Sequence, residues 1–353
     1  MPYYKSWVDQ VHRVRGNFTS RLDKIRLDKN ERITSFQKDF FNKVIETLRP
    51  EHLTAYPEIE PLYSRIAESL GVKREQVVVT AGSDAAIKNC FELCVEPRSK
   101  VITISPTFAM VDIYAQLFNA LQIKIRYNKQ LSLDYAKLLK SLNSEISLIV
   151  LANPNSPTGT LIPQEILYNI LEKAQSSATT VLIDEAYYGF CKQTVLPLIS
   201  HFENLVVART FSKSAGLAGC RIGYLVAQER LAQRLYKFRP MYEVNAIAVM
   251  IASAILENPE IVNQYLEETE KGKSYVIEVL NQLKINYLDT HTNFLHFDCG
   301  VNYKRLMQAF NQNGILVKGG LGISGYENYL RLTTGPIEVM QPAAKIIQSV
   351  LGN

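Results

Sequence analysis

The sequence predicts an α/β protein in which a large layered domain with a mostly parallel sheet is joined to a smaller α+β lobe. Three observations carry this. From about residue 76 onward, short β-branched runs alternate with helical patterns, the order expected of strands linked by crossover helices. The runs include continuous apolar stretches such as Val181-Leu182-Ile183, as in strands covered on both faces. After Arg239-Pro240 the pattern changes to long helical segments and a few scattered strands. A chain of 353 residues has room for both parts.

Taken in order, the first element is a polar N-terminal arm, residues 1–35, which contains Arg26-Leu27-Asp28-Lys29-Asn30-Glu31 and is expected to pack with the small lobe. The large domain is expected over 36–240, with strands at 76–80, 100–105, 147–152, 180–184, 204–210 and 221–227. The small domain, 241–353, should contain helices at 246–257 and 261–283 and strands at 293–297, 315–318 and 329–333. In an open sheet of this kind a ligand sits beyond the strand ends.

Composition narrows the function classes. Hydrophobic residues make up 47% and charged residues 21%, which rules against a disordered chain. Lysine and arginine exceed acids by 39 to 34, but they are scattered. Even residues 12–32 include Asp23, Asp28 and Glu31, so no basic stripe for nucleic acid is present. No apolar run approaches the ~18 residues of a membrane span, and the polar N-terminus has no secretory pattern. The five cysteines give no disulfide framework and, without a His cluster, no metal spacing. A reducing cytoplasmic location is expected.

The chemistry stands just after the strands. Gly82-Ser83-Asp84 leads into a helix whose N–H groups can receive an anion. Thr107-Phe108 follows the second strand and offers an aromatic face. Asn153-Pro154-Asn155-Ser156-Pro157-Thr158-Gly159 is a dense turn. Asp184 places a carboxylate directly after an apolar run, which is costly without a partner, and Tyr187 follows it. Ser212-Lys213-Ser214 sets an amine among small residues, suited to nucleophilic chemistry, and Arg221 is close behind. A phosphorylated carbonyl cofactor with a pyridine ring needs an amine, an anion, a phenol, an aromatic face and phosphate donors. One strand edge could supply them all.

These residues, above all those of 181–190 (VLIDEAYYGF) and 204–223 (NLVVARTFSKSAGLAGCRIG), closely resemble the pyridoxal-phosphate aminotransferases of the aspartate aminotransferase fold, and among them the histidinol-phosphate group. The similarity runs from Leu27 to Gly335. It implies a seven-stranded sheet, a pyridoxal 5'-phosphate cofactor and a transaminase that exchanges an amino group between an amino acid and a small phosphorylated amine or ketone. Glutamate with 2-oxoglutarate is the common partner pair. By the resemblance Lys213 bonds the cofactor and moves protons, Asp184 holds the ring nitrogen protonated, Tyr187 meets the ring hydroxyl and Phe108 stacks on the ring. Ser212, Arg221, Gly82, Ser83 and Asp84 surround the phosphate, with Asp84 more a cap than a ligand. Tyr56 reaches that phosphate from a second subunit, which implies a homodimer.

The sequence also departs from the family. Ser156 stands where Asn usually precedes Pro-Thr-Gly, so the ring contact falls to Asn155 or Ser156, with Asn155 favoured for its reach. Asn30-Glu31-Arg32-Ile33 replaces the common Asn-Glu-Asn-Pro beside the substrate, and Lys318 replaces an arginine that would offer a bidentate fork. Arg331 is kept, and with Asn30 and Lys318 it forms the expected substrate site. A decarboxylase of a phosphorylated amino acid is the alternative activity, since fold and cofactor residues are shared. A non-catalytic regulatory module is disfavoured by the intact Lys213.

Overall fold

The computed structural model describes residues 4–13 and 20–352. The parts of the N-terminal arm at 1–3 and 14–19 lie outside the described residues. Seven strands form the large sheet, in spatial order Val77–Thr80, Gly223–Ala227, Leu205–Thr210, Thr180–Asp184, Ile146–Ala152, Lys100–Ser105 and Leu121–Arg126. Gly223–Ala227 runs antiparallel to both of its neighbours, and the other pairings are parallel. Leu121–Arg126 is a further strand, without a continuous apolar run. Among the described residues it pairs only with Lys100–Ser105, and this edge position leaves room for Gln122 and Lys124.

Alternate side chains divide the sheet's two faces. Val77, Val79, Val181 and Ile183 join one core, which takes in Leu62 and Ile66 of the helix Glu60–Leu70 and Leu167 and Ile170 of Gln164–Ser176. Val78 and Leu182 join the other, which takes in Ile87 and Phe91 of Ser83–Cys94 and Leu231 of Glu229–Tyr236. Burial on both sides is the reason these strands read as continuous apolar runs.

Helix Ala246–Glu257, expected beyond a boundary at residue 240, buries Ala248, Val249, Ala252 and Ile255 in the large-sheet core. The next helix, Pro259–Gln282, packs Ile261 and Val262 on that core and Val276 and Leu280 in a separate one. This helix thus contributes to both cores. No single helix among the described residues is long and apolar enough to cross a membrane. The second core is built on the antiparallel strands Phe294–Asp298 and Tyr329–Thr333, flanked by Tyr287–Leu288 and Lys318–Gly319.

The N-terminal arm touches both lobes. Ile25–Arg26 pairs with Ile315–Leu316 and Leu27 is buried in the small-lobe core, whereas the Trp7 indole N–H donates to Leu117 O of the large domain at 3.0 Å. Residues 28–30 are thereby laid across the junction, at the mouth of the site.

Candidate active site

A cavity of about 610 Å³ opens where the strand ends of the large sheet face the small lobe. Ser83, Asp84, Phe108, Ser156, Asp184, Tyr187, Ser212, Lys213 and Arg221 line it from the large domain, Asn30 from the arm, and Lys318 and Arg331 from the small lobe. Thus twelve of the residues singled out in the sequence, spread from 30 to 331, meet in one place.

Asp184 closes its strand and is 5% exposed. Its Oδ1 accepts the Ala186 N–H at 3.2 Å, and it forms no ion pair among the described residues. Burial pushes its carboxyl pKa up to about 7, against the smaller opposing effects of the Ala186 N–H and of Lys213. Tyr187 also lies buried, with its hydroxyl accepting from Asn30 Nδ2 at 2.8 Å. Burial would raise the phenol pKa, but the positive charge of Lys213, the Asn30 donor and Arg331 outweigh it, and the net direction is downward.

Lys213 occupies the turn after the strand Leu205–Thr210. Its Nζ donates to Lys29 O and Asn30 O, both at 3.1 Å, and sits 5.4 Å from the centre of the Tyr187 ring. The turn is closed by the Gly216 N–H on Lys213 O. Gly216 has φ +78°, and a Cβ there would come within 2.5 Å of Arg32 Cδ. Gly216→Ala is accordingly expected to lower stability by about 1–3 kcal/mol through backbone strain and steric conflict, read as a lowered urea midpoint with an unchanged slope.

Beside this turn is an anion cradle. No side chain caps the helix Ser83–Cys94 at Gly82, so its first N–H groups are available at the cavity wall. Gly82 has φ +83°, and a Cβ there would lie 3.1 Å from Arg221 Nη2. Arg221 Nη1 reaches Ser212 Oγ at 3.4 Å. The Asp84 carboxylate is occupied by the Tyr114 hydroxyl at 2.9 Å, which turns one of its oxygens from the cradle.

At the opposite end, Lys318 and Arg331 are register partners on adjacent strands. Arg331 donates to Asp28 O at 2.6 Å and its guanidinium lies 5.3 Å from the Phe294 ring centre. Its pKa is lowered by burial, whereas Lys318 is exposed.

The placements of Asn155 and Arg32 differ from the sequence expectations, whereas Tyr56 is expected to serve a second subunit's site. Asn155 is 0% exposed, and its amide nitrogen donates to Pro106 O and Thr158 Oγ1 while its oxygen accepts from Thr107. It ties its loop to the one at 106–107, and Ser156 is the residue of that pair on the cavity wall, next to Tyr187. Tyr56 is 73% exposed and lies outside this cavity, stacked on Tyr242 at 4.0 Å. Arg32, within the altered segment, does not line the cavity either. It lies over the Tyr265 and Phe36 rings, at 4.3 and 4.6 Å, so that this departure is a packing change.

Some wall residues carried no sequence signal. Gly320, Leu321 and Gly322 approach from the small lobe, with Leu321 buried against the large-domain core. Behind the wall, the buried Glu185 and Arg209 pair at 2.8 Å, with Glu185 also accepting from the Thr194 hydroxyl and the Val195 N–H. Fully hydrogen-bonded in this way, the pair tolerates burial and anchors the segment after Tyr187.

Residues 23–347 match the family model described as aminotransferase class I and II. The chain is 30% identical over 333 residues to histidinol-phosphate aminotransferase 1 of Carboxydothermus hydrogenoformans, covering 93% of each. It is 33% identical over 306 residues to histidinol-phosphate aminotransferase 2 of Legionella pneumophila strain Lens, covering 83% of this chain and 81% of that one. In fold it is similar to the crystal structure of histidinol-phosphate aminotransferase from Sinorhizobium meliloti in complex with pyridoxal-5'-phosphate, with a TM-score of 0.83, 23% identity and coverage of 93% and 90%.

Proposed function

The chain belongs to the class I and II aminotransferase family, and from that premise we propose that it is a pyridoxal-phosphate-dependent transaminase acting on a small phosphorylated amine of the histidinol-phosphate kind, with an amino acid pair such as glutamate and 2-oxoglutarate as its partner. The observation that carries this reading is the convergence of Lys213, Asp184, Tyr187, the Ser212–Arg221 cradle and Arg331 on one cavity.

The residues fit the cofactor. Asp184 is a buried carboxylate without an ion pair among the described residues, the partner that a protonated ring nitrogen supplies. Gly82 keeps clear the space before Arg221 Nη2, and the helix N–H groups, Ser212 and Arg221 would hold a phosphate. Phe108 would cover the ring and Tyr187 its hydroxyl, with Ser156 alongside. When bound, pyridoxal phosphate supplies a carbonyl that takes up amines and a ring that accepts electron density from the adjacent carbon.

The protein's part is positioning and proton transfer. Lys213 Nζ leaves the Lys29 and Asn30 carbonyls, takes the proton from the amine-bearing carbon of the substrate and holds it for return. A cation facing Asp184 keeps it ionised at pH values below about 7, where burial alone would leave it protonated. Tyr187, its pKa lowered by its neighbours, accepts and donates at low cost. Arg331, with Lys318 at the rim, binds the substrate's phosphate or carboxylate and sets which bond faces Lys213. The exposed Tyr56, stacked on the exposed Tyr242, supports a homodimer in which this tyrosine serves the other copy's phosphate cradle.

The test is to load the protein with pyridoxal phosphate, add histidinol phosphate or other phosphorylated amines, and follow the cofactor spectrum and products. Conversion to the pyridoxamine form with a keto or aldehyde phosphate, reversed by 2-oxoglutarate, is expected. Release of CO₂ from a phosphorylated amino acid, with the spectrum restored, would make it a decarboxylase. Arg331→Lys is expected to raise KM for the anionic substrate by about 10- to 100-fold, a loss of ~1.4–3 kcal/mol as a planar fork becomes a point charge, with a smaller effect on kcat. An unchanged KM would remove Arg331 from the substrate site.

A further inference from the structure

Phe294 and His296 lie on one face of the strand Phe294–Asp298, and both are fully buried. Phe294 meets the Tyr187 ring edge-on at 5.7 Å, the His296 ring at 5.5 Å and the Arg331 guanidinium at 5.3 Å. His296 is the register partner of Arg331, and its Nε2 is 2.7 Å from Pro157 O of the large domain. A carbonyl oxygen only accepts, so Nε2 carries the proton. Nδ1 has no hydrogen bond among the described residues, which leaves the tie to Pro157 as the side chain's one polar bond. Burial, reinforced by Arg331, lowers the imidazole pKa to about 3, so the neutral ring is the working form.

Pro157 follows Ser156 on the cavity wall, and the same loop meets the small lobe at a second point. His291 N–H donates to Gly159 O at 2.9 Å, and Gly159, at φ +73°, has no space for a Cβ beside Thr290. The ring-side loop of the large domain is therefore bound to the strand that lies next to Arg331.

From this geometry we infer that His296 is a positioning residue: its Nε2–H bond to Pro157 O, with Phe294 bridging Arg331 and Tyr187, fixes the ring-side loop in register with the substrate-anion site. Its catalytic relevance rests on the transaminase reading, while the latch itself does not.

The test compares His296→Leu, which removes the donor, with His296→Gln, which can restore an N–H. In the cofactor-free protein, hydrogen exchange of residues 153–161 should quicken about tenfold or more in His296→Leu and stay near wild type in His296→Gln, since the Pro157 carbonyl loses its donor in the first alone. In the loaded enzyme, His296→Leu should lower kcat/KM for the phosphorylated amine about tenfold or more through misplacement and shift the pH titration of the bound cofactor's absorbance; His296→Gln should recover most of both. Unchanged exchange in a folded His296→Leu, confirmed by its melting curve, overturns the latch. Equal defects in both variants overturn the role of the N–H. Faster exchange with unaltered kinetics and titration overturns the positioning role. If the wild type itself fails to bind pyridoxal phosphate, the functional reading fails while the exchange result still decides the latch.

Discussion

Lys213→Ala is expected to reduce turnover by about 10⁴-fold or more, because Nζ would both hold the cofactor and move the proton at the reacting carbon, and losing both nucleophile and base removes effects that multiply. The fold should survive. The side chain is only partly buried, and its two hydrogen bonds to the Lys29 and Asn30 carbonyls are worth about 1 kcal/mol each. Small exogenous amines should restore part of the activity to the alanine variant, since they can stand in for Nζ as base. Steady-state assays and the spectrum of the loaded variant check this, and activity within about tenfold of wild type would refute every catalytic role given to the lysine.

Asp184→Asn should move stability and activity in opposite directions. In the unfolded chain the carboxyl ionises near a pKa of about 3.9, whereas the folded, cofactor-free protein keeps its proton up to about 7. Between those values the unfolded state binds fewer protons, so this group makes stability fall as pH rises, until both states are ionised above about 7. The penalty is then complete, and the uncharged asparagine escapes it. At pH 8 the cofactor-free variant is expected to be more stable than wild type by about 1–3 kcal/mol, with little difference at pH 4, where the acid is largely protonated in the fold. Activity should drop by about 10²–10³-fold, because no anion then opposes the charge on the ring nitrogen. Melting curves across pH and single-turnover rates test the two halves separately. A variant that is less stable at pH 8, or one that keeps full activity, contradicts the assignment of Asp184 as a carboxylate kept buried for a cationic partner.

How much of this was legible in the sequence varies from residue to residue. The strands Ile146–Ala152, Thr180–Asp184 and Leu205–Thr210 stand out because burial on both faces leaves an uninterrupted apolar run. The edge strand Leu121–Arg126 lacks that signal, because at the sheet's rim, less covered by neighbours, it alternates with Gln122 and Lys124. Lys213, Asp184 and Arg221 could be found one by one, each being an ionisable group set directly at the end of an apolar run or among small turn residues. Between Asn155 and Ser156 the choice made on side-chain reach fails to match the packing. The Asn155 amide is taken up by Pro106, Thr107 and Thr158, and chain order holds no record of which way a turn faces. Arg32 likewise lay beside the expected substrate segment but is held against Tyr265, more than two hundred residues away.

By itself the sequence determined the layered α/β class, the family and the inventory of chemistry-bearing side chains, since these follow from local periodicity and from residue types at strand ends. Only the tertiary structure decided which of those side chains share one cavity, that Phe294 and His296 join its two lobes, and that the long helix Pro259–Gln282 belongs to both cores. The physical reason is the same throughout. Periodicity records how much of a residue is buried, whereas the identity of its partner is set by contacts between segments far apart in the chain, which packing alone selects.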